Sequence, residues 1–127
     1  MDGGSPGYPK SEIIAPKPVV WLGASLAAVR GFAPEAKWHA GQQLRRVQDG
    51  ELPIDWKPMP TIGPGVNELR VRVGGAYRVV YVAKFAEAVY VLHAFEKTSR
   101  KTARLDVELA RQRYRTPMRE RNEWRKG

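Results

Sequence analysis

"VNELRVRVGGAYRVVYVAKFAEAVYVLHAF", Val66 to Phe95, decides the fold. Apolar and polar residues alternate along it with the period of a strand that buries one face. The alternation breaks at Gly74-Gly75 and at Ala86-Glu87, so the stretch reads as three antiparallel strands joined by two turns. A two-residue turn at Gly74-Gly75 would set Arg78 against Val71, on the apolar face. A three-residue turn, Gly74-Gly75-Ala76, sets Val73 against Tyr77 and Arg72 against Arg78, and keeps one face apolar. That register is the expected one. Its like-charged Arg72/Arg78 pair is unfavourable by itself and makes sense where an anion sits.

A two-residue turn at Ala86-Glu87 then pairs Phe85 with Ala88, Val82 with Val91, and Val80 with His93. Arg70, Val80 and His93 form one row across the strands, and Arg72, Arg78 and Phe95 the next. The opposite face, carrying Leu69, Val71, Val73, Tyr77, Val79, Tyr81, Tyr90 and Leu92, is expected to pack on helices.

Outward from this block the chain is simpler. Residues 1–16 are rich in Gly and Pro and read as a disordered leader. Lys17–Gly23 is a short strand-like run, and Ser25 can N-cap a short helix through Phe32. Pro34 opens a second helix with Ala36, Ala40, Leu44 and Val47 on one face, ended by Asp49-Gly50. Residues 51–65 read as a loop. Beyond the strands, Lys97–Ala103 is a polar loop, and Thr102 can start a last helix to about Tyr114, with Leu105 and Leu109 one turn apart. Residues 115–127 read as a mobile basic tail. The fold class is α+β, with one domain at 17–114.

The chain has 127 residues, suited to one compact domain, with 22 basic and 13 acidic residues and a formal charge of +9. Such a charge concerns partners rather than fold, with nucleic acid first and an acidic protein next. Cysteine is absent, which excludes a disulfide framework and thiolate chemistry. No apolar run approaches the ~20 residues that span a bilayer, and the N-terminus lacks the pattern of a secretory signal. A cytoplasmic protein with no membrane association is expected.

No glycine loop for phosphates and no H-E-x-x-H motif is present, and two isolated histidines do not make a typical zinc site. Glu68 is the only clear carboxylate on the candidate face, which argues against a two-metal nuclease. No metal and no cofactor are expected. What remains is a face with Arg70, Arg72, Arg78 and His93, bordered by Lys97, Arg100 and Lys101. Those residue types suit metal-free RNA cleavage, in which the 2′-OH attacks the adjacent phosphate. Arginines hold phosphate oxygens with two donors each, histidine exchanges protons near neutrality, and crowding of cations would lower the pKa of Lys97 or Lys101. Plainer readings stand beside this. His93 can be a hydrogen-bonded structural histidine, Arg72 and Arg78 can pair with Glu68 or helix carboxylates, and the basic loop and tail can be solvated. His39 reads as structural or exposed, and Trp21, Trp38 and Trp56 as core or subsite packing.

"NELRVRVGGAYRVVYV" followed by "VYVLHAFEKTSRKTARLDVELARQRY" resembles the RelE/ParE superfamily of small bacterial and phage toxins, most closely its HigB-like, phage-derived branch. The resemblance covers about residues 17–114. It implies a RelE-like fold: a small twisted antiparallel sheet packed against two N-terminal helices, with a C-terminal helix. It also implies the toxin of a toxin–antitoxin pair, an endoribonuclease (mRNA interferase) cutting mRNA on the ribosome, with a helix-turn-helix antitoxin as partner. By this resemblance Arg70 and Arg78 bind and stabilise the scissile phosphate. Lys97 and Lys101 bind phosphate or donate a proton, and His93 is the acid/base candidate; Arg72, Arg100 and Lys101 are expected from their charge and placement to contact RNA phosphates. The chain departs from the branch pattern at Thr98, where a lysine is usual, and at Ala103, where a proline is usual. Another branch of the superfamily poisons DNA gyrase and generally lacks the basic set. A non-catalytic nucleic-acid-binding protein is the third possibility.

Overall fold

The computed structural model describes residues 16–98 and 103–126. Its elements, in chain order, are β1 (Val19–Trp21), α1 (Ser25–Arg30), α2 (Pro34–Gln48), β2 (Trp56–Pro58), β3 (Val66–Arg72), β4 (Ala76–Val82), β5 (Val89–Glu96) and α3 (Arg104–Lys126). The fold is α+β, with three helices and one five-stranded sheet in the order β1-β5-β4-β3-β2. The sheet is mixed and not purely antiparallel, because β1 runs parallel to β5. β2 lies inside the segment read as loop. Its register against β3 (Trp56 with Leu69, Pro58 with Asn67) makes it an edge strand, where a proline is tolerated.

The β3–β4 hairpin differs from expectation by a slide of two residues. Arg70 pairs with Arg78, Val71 with Tyr77 and Arg72 with Ala76, so the turn is Val73-Gly74-Gly75. The cause is local. Gly74 (φ 64°) and Gly75 (φ 156°) occupy backbone conformations that Ala76 could enter only under strain. Ala76 therefore joins β4 and Val73 is drawn into the turn. A slide of two leaves every side chain on its expected face.

The β4–β5 pairing begins as expected, with Val80 opposite His93 and Arg78 opposite Phe95. It then shifts: Tyr81 pairs with Val91 and Val82 with Tyr90, which leaves Leu92 as the extra residue of a β-bulge. Val82 does not face Val91, and no two-residue turn forms at Ala86-Glu87. Instead the Lys17 ammonium donates to the carbonyls of Ala83 (2.5 Å) and Phe85 (2.9 Å), occupying acceptors that a tight ladder would have used.

The bulge redistributes the core. Val89 and Val91 join Leu69, Val71, Tyr77, Val79 and Tyr81 under α1 and α2, whose buried residues include Val29, Ala36, Ala40, Leu44 and Val47. Tyr90 and Leu92, expected on that face, lie on the other with Val66, Val80 and Val82, packed against Ala110, Val107 and Tyr114 of α3. The sheet is thus covered on both faces, and α3 lies over part of the face that carries the arginines.

Two helix details also differ. Ser25 is not the cap of α1: Ala24 holds that position, and the buried Ser25 hydroxyl donates to the Val91 carbonyl at 3.2 Å. The last helix, α3, starts at Arg104 and runs through Pro117 to Lys126, where a mobile tail was expected. Its inward side carries Ala110 and the fully buried Pro117, whereas Leu105 is exposed. Pro117 cannot donate the backbone bond one turn back. The turns beyond it are tied down by Arg121, which donates to Glu87 and lies 3.9 Å over the Phe85 ring. Glu87 in turn accepts from the Tyr90 hydroxyl at 2.9 Å.

Candidate functional site

On β3 the residues of one face change character along the strand. Val66 is core, Glu68 is a buried acid, and Arg70 and Arg72 lead to the open end. β4 adds Arg78 directly opposite Arg70. Two arginines in that position repel, and the carboxylate of Glu68 lies against both. Its Oε1 is 3.6 Å from Arg70 Nε and 3.4 Å from Arg78 Nε. Glu68 is 1 % exposed, Arg78 4 % and the Arg70 side chain 19 %, so Arg70 is the more accessible cation of the pair. Burial lowers the Arg78 pKa; Glu68 opposes the shift, and Arg70 and then Arg72 add to it.

Lys97 follows β5 directly, its backbone N–H donating to the Ala76 carbonyl at 2.6 Å. Its ammonium feels the same cluster. Desolvation lowers its pKa first, Arg78 lowers it further, Glu68 works against both, and Arg70 and Lys57 contribute smaller lowering effects. Arg70, Arg78 and Lys97, three of the residues singled out in the sequence, therefore share one electrostatic environment around Glu68.

His93 belongs elsewhere. It stays on the face of Arg70, as expected, but its row is Glu68, Val80 and His93, while Arg70 stands in the row of Arg78 and Phe95. The expected Arg70–Val80–His93 row and Arg72–Arg78–Phe95 row both fail for the same reason, the two-residue slide at the glycine turn. α3 then covers His93, which is 8 % exposed. Nε2 lies 2.7 Å from Asp106 Oδ1 and Nδ1 lies 3.2 Å from Arg113 Nη1, and the ring stacks on Phe95 at 5.3 Å. A guanidinium can only donate, so Nδ1 accepts and the proton of the neutral ring sits on Nε2, facing Asp106. Arg113 also donates to the Leu92 carbonyl at 3.1 Å. A Cβ at Gly23 would collide with this guanidinium, so the glycine makes room for it.

Arg72 is drawn to the sheet edge by Asp55, 2.9 Å away, and both side chains are exposed. Arg100 and Lys101 lie outside the described residues, as does Thr102. Trp38 is exposed and meets His39 edge-on at 5.0 Å, so it is not core. An open cavity of about 190 Å³ at the β3 edge is lined by His39, Gln43, Ile54 and Asp55 together with Arg70 to Val73. Among the described residues no group of three His, Asp or Glu could hold a metal ion, and no helix is long and apolar enough to cross a membrane.

Sequence reasoning missed Asp106 and Arg113 as the partners of His93. Both lie on α3 about two turns apart, and the plainest signal for them is that helical spacing, which the apolar pair Leu105 and Leu109 masks. The grouping of Glu68 with Arg70 was available from their spacing of two along β3.

The family of proteins described as "Phage derived protein Gp49-like (DUF891)" matches residues 27–115. That span runs from within α1 to within α3 and includes Arg70, Arg78, His93 and Lys97. The chain belongs to this Gp49-like family, which is part of the RelE/ParE-like toxins. A search of curated proteins finds no match to the chain.

Proposed function

We propose that the chain is the toxin of a toxin–antitoxin pair, in the HigB-like branch, and that it cuts mRNA without a metal. The observation that carries this reading is the cross-strand pair Arg70/Arg78 with Lys97 in its field. In the reaction the substrate's 2′-hydroxyl gives up its proton to solvent water, its oxygen attacks the adjacent phosphorus, and the P–O5′ bond breaks. The products are a 2′,3′-cyclic phosphate and a free 5′-hydroxyl. Arg70 contacts the phosphate oxygens, and Arg78 stabilises the added negative charge from the buried side. Preorganised charge of this kind is often the largest single contribution to a rate. Lys97, with a lowered pKa, is the proton donor to the departing 5′-oxygen, a role worth about 10²–10⁴-fold. His93 acts indirectly, by fixing α3 to the sheet. Arg72, Arg100 and Lys101 serve as contacts to flanking phosphates, Thr98 supplies no charge, and no cofactor takes part. The partners are mRNA on the ribosome and a helix-turn-helix antitoxin, and the site of action is the cytoplasm.

The test incubates the purified protein with naked mRNA, with and without EDTA, with mRNA on translating ribosomes, and separately with gyrase and supercoiled DNA. Cleavage that leaves cyclic-phosphate ends and persists on naked RNA in EDTA, or appears on ribosomes, supports the reading. Gyrase inhibition without RNA cleavage assigns the chain to the gyrase-poisoning branch. RNA binding that weakens with salt but yields no cutting assigns a non-catalytic role.

A further inference from the structure

We infer that Glu68 is the positioning residue of the phosphate site, an assignment that rests on the nuclease reading above. A carboxylate that is 1 % exposed has left water at considerable cost, and buried ion pairs are commonly no more stabilising than apolar residues of the same size. Stability alone therefore does not account for it. Its surroundings show how unusual the position is: its cross-strand neighbour is Val80, and Val66 and Val82 of the same face are core. Glu68 is the point at which the apolar part of the face under α3 gives way to the cationic end.

Its contacts have a particular form. Both arginines approach the same oxygen, Oε1, through Nε, at 3.4 Å and 3.6 Å. Neither Nε makes a hydrogen bond. The carboxylate thus holds the two guanidiniums by charge from below, where they would otherwise repel across the strand pair. The contact of each Nε with Oε1 is thus one of charge, and Arg78 Nη1 is held besides by the Tyr77 carbonyl at 3.2 Å. Lys97 feels the same carboxylate. Against Arg70, Arg78 and Lys97, the Glu68 carboxylate cancels one positive charge of the three. The bound phosphodiester carries one negative charge, and the five-coordinate transition state develops a second. Glu68 therefore tunes the site toward the transition state, where an uncompensated triple positive charge would chiefly tighten ground-state binding.

The test compares the full-length wild type with Glu68→Gln and Glu68→Asp. For each, kcat and KM are measured on a cleavable RNA, binding is measured on the same RNA with 2′-deoxy substitution, and melting is followed by circular dichroism. Glu68→Gln adds one net positive charge. It is expected to bind the deoxy analogue at least as tightly as wild type, with a steeper salt dependence, while kcat falls about 10²-fold, the scale of losing one aligned stabilising donor. Glu68→Asp restores part of kcat. If Glu68→Gln does not fold, Glu68→Asp decides: loss of kcat with KM retained supports the assignment, and full activity overturns it. Parallel loss of binding, kcat and melting temperature in both variants overturns it in favour of a purely structural role. A wild type that cuts RNA with Glu68→Gln equally active overturns only this assignment. A wild type that binds RNA and never cuts it overturns the nuclease reading and this assignment together.

Discussion

Replacing His93 by leucine separates two roles that the sequence left open for it. The substitution keeps the volume of the site and removes both ring nitrogens. It deletes the bond to Asp106 at 2.7 Å and the bond from Arg113 at 3.2 Å, each involving a charged partner. Such bonds contribute about 1.5–3 kcal/mol apiece. Asp106 and Arg113 keep some access to water and can be rehydrated, so each bond falls at or somewhat below the lower end, and the total is about 2–3 kcal/mol. For a chain of 127 residues one kcal/mol moves the melting temperature by roughly 3–6 °C. His93→Leu should therefore melt about 6–18 °C lower. Asp106→Ala should reproduce part of that loss, and the double mutant should lose less than the sum, because the two share an interaction. RNA cleavage, assayed well below the mutant's melting temperature, should fall less than about tenfold, against the 10²–10⁴-fold expected for removing a proton-transfer group. An unchanged melting curve with a 100-fold or greater loss of cleavage would refute the reasoning and return His93 to the chemistry.

Arg70→Ala and Lys97→Ala should each reduce cleavage and toxicity at least about 10²-fold while the melting temperature changes little; full toxicity in both would show the site to be elsewhere. Lys97 also predicts a pH dependence. Its pKa is lowered by desolvation and by Arg78, so between that lowered value and the ordinary lysine value the unfolded chain holds more protons, and stability rises with pH through that window. As a proton donor it loses function over the same range, so kcat should fall as pH rises. A Lys97→Met variant with an identical descending limb would contradict this. Arg121→Ala should loosen the end of α3 beyond Pro117, seen as faster amide exchange in Arg119–Glu123, and unchanged exchange there would count against the Arg121–Glu87–Phe85 clamp. Arg72→Ala, removing an exposed pair with Asp55, should cost no more than about 1 kcal/mol by chemical denaturation.

What was legible in the sequence followed from period and from glycine. The alternation of Val66 to Phe95 yielded three strands, with the residues of β3 and β4 on their expected faces, and Pro34 with Ala36, Ala40, Leu44 and Val47 yielded α2 with its buried side. Register was less accessible. Placing Ala76 in the turn instead of Val73 is a small choice locally, yet it decides whether Arg70 or Arg72 faces Arg78. The bulge at Leu92 was invisible because alternation alone cannot show where two consecutive residues share a face. β2 was hidden by Pro53, Pro58 and Pro60, which read as loop. The extent of α3 was hidden by Pro117 and by a charge density typical of solvated tails, while Arg121, which holds that segment, looks in sequence like any other basic residue. Of the candidate site, Arg70 and Arg78 face each other where the expected rows set them apart, Lys97 lies in their field, and His93 stands in the neighbouring row, held by Asp106 and Arg113 of α3.

The bulge has one further consequence. In a regular strand, neighbouring residues point to opposite faces and can be exchanged almost independently. At Leu92 and His93 the chain delivers an apolar anchor and a polar anchor to the same helix in immediate succession. Their tolerances are therefore joined: a larger residue at Leu92 lifts α3 and lengthens the His93–Asp106 contact, and a smaller one lets it settle and crowd Arg113. In a library randomised at both sites, survivors should be selected as matched pairs, and a single-residue deletion between Val91 and His93, which restores a regular ladder, should be tolerated only with compensating changes along α3.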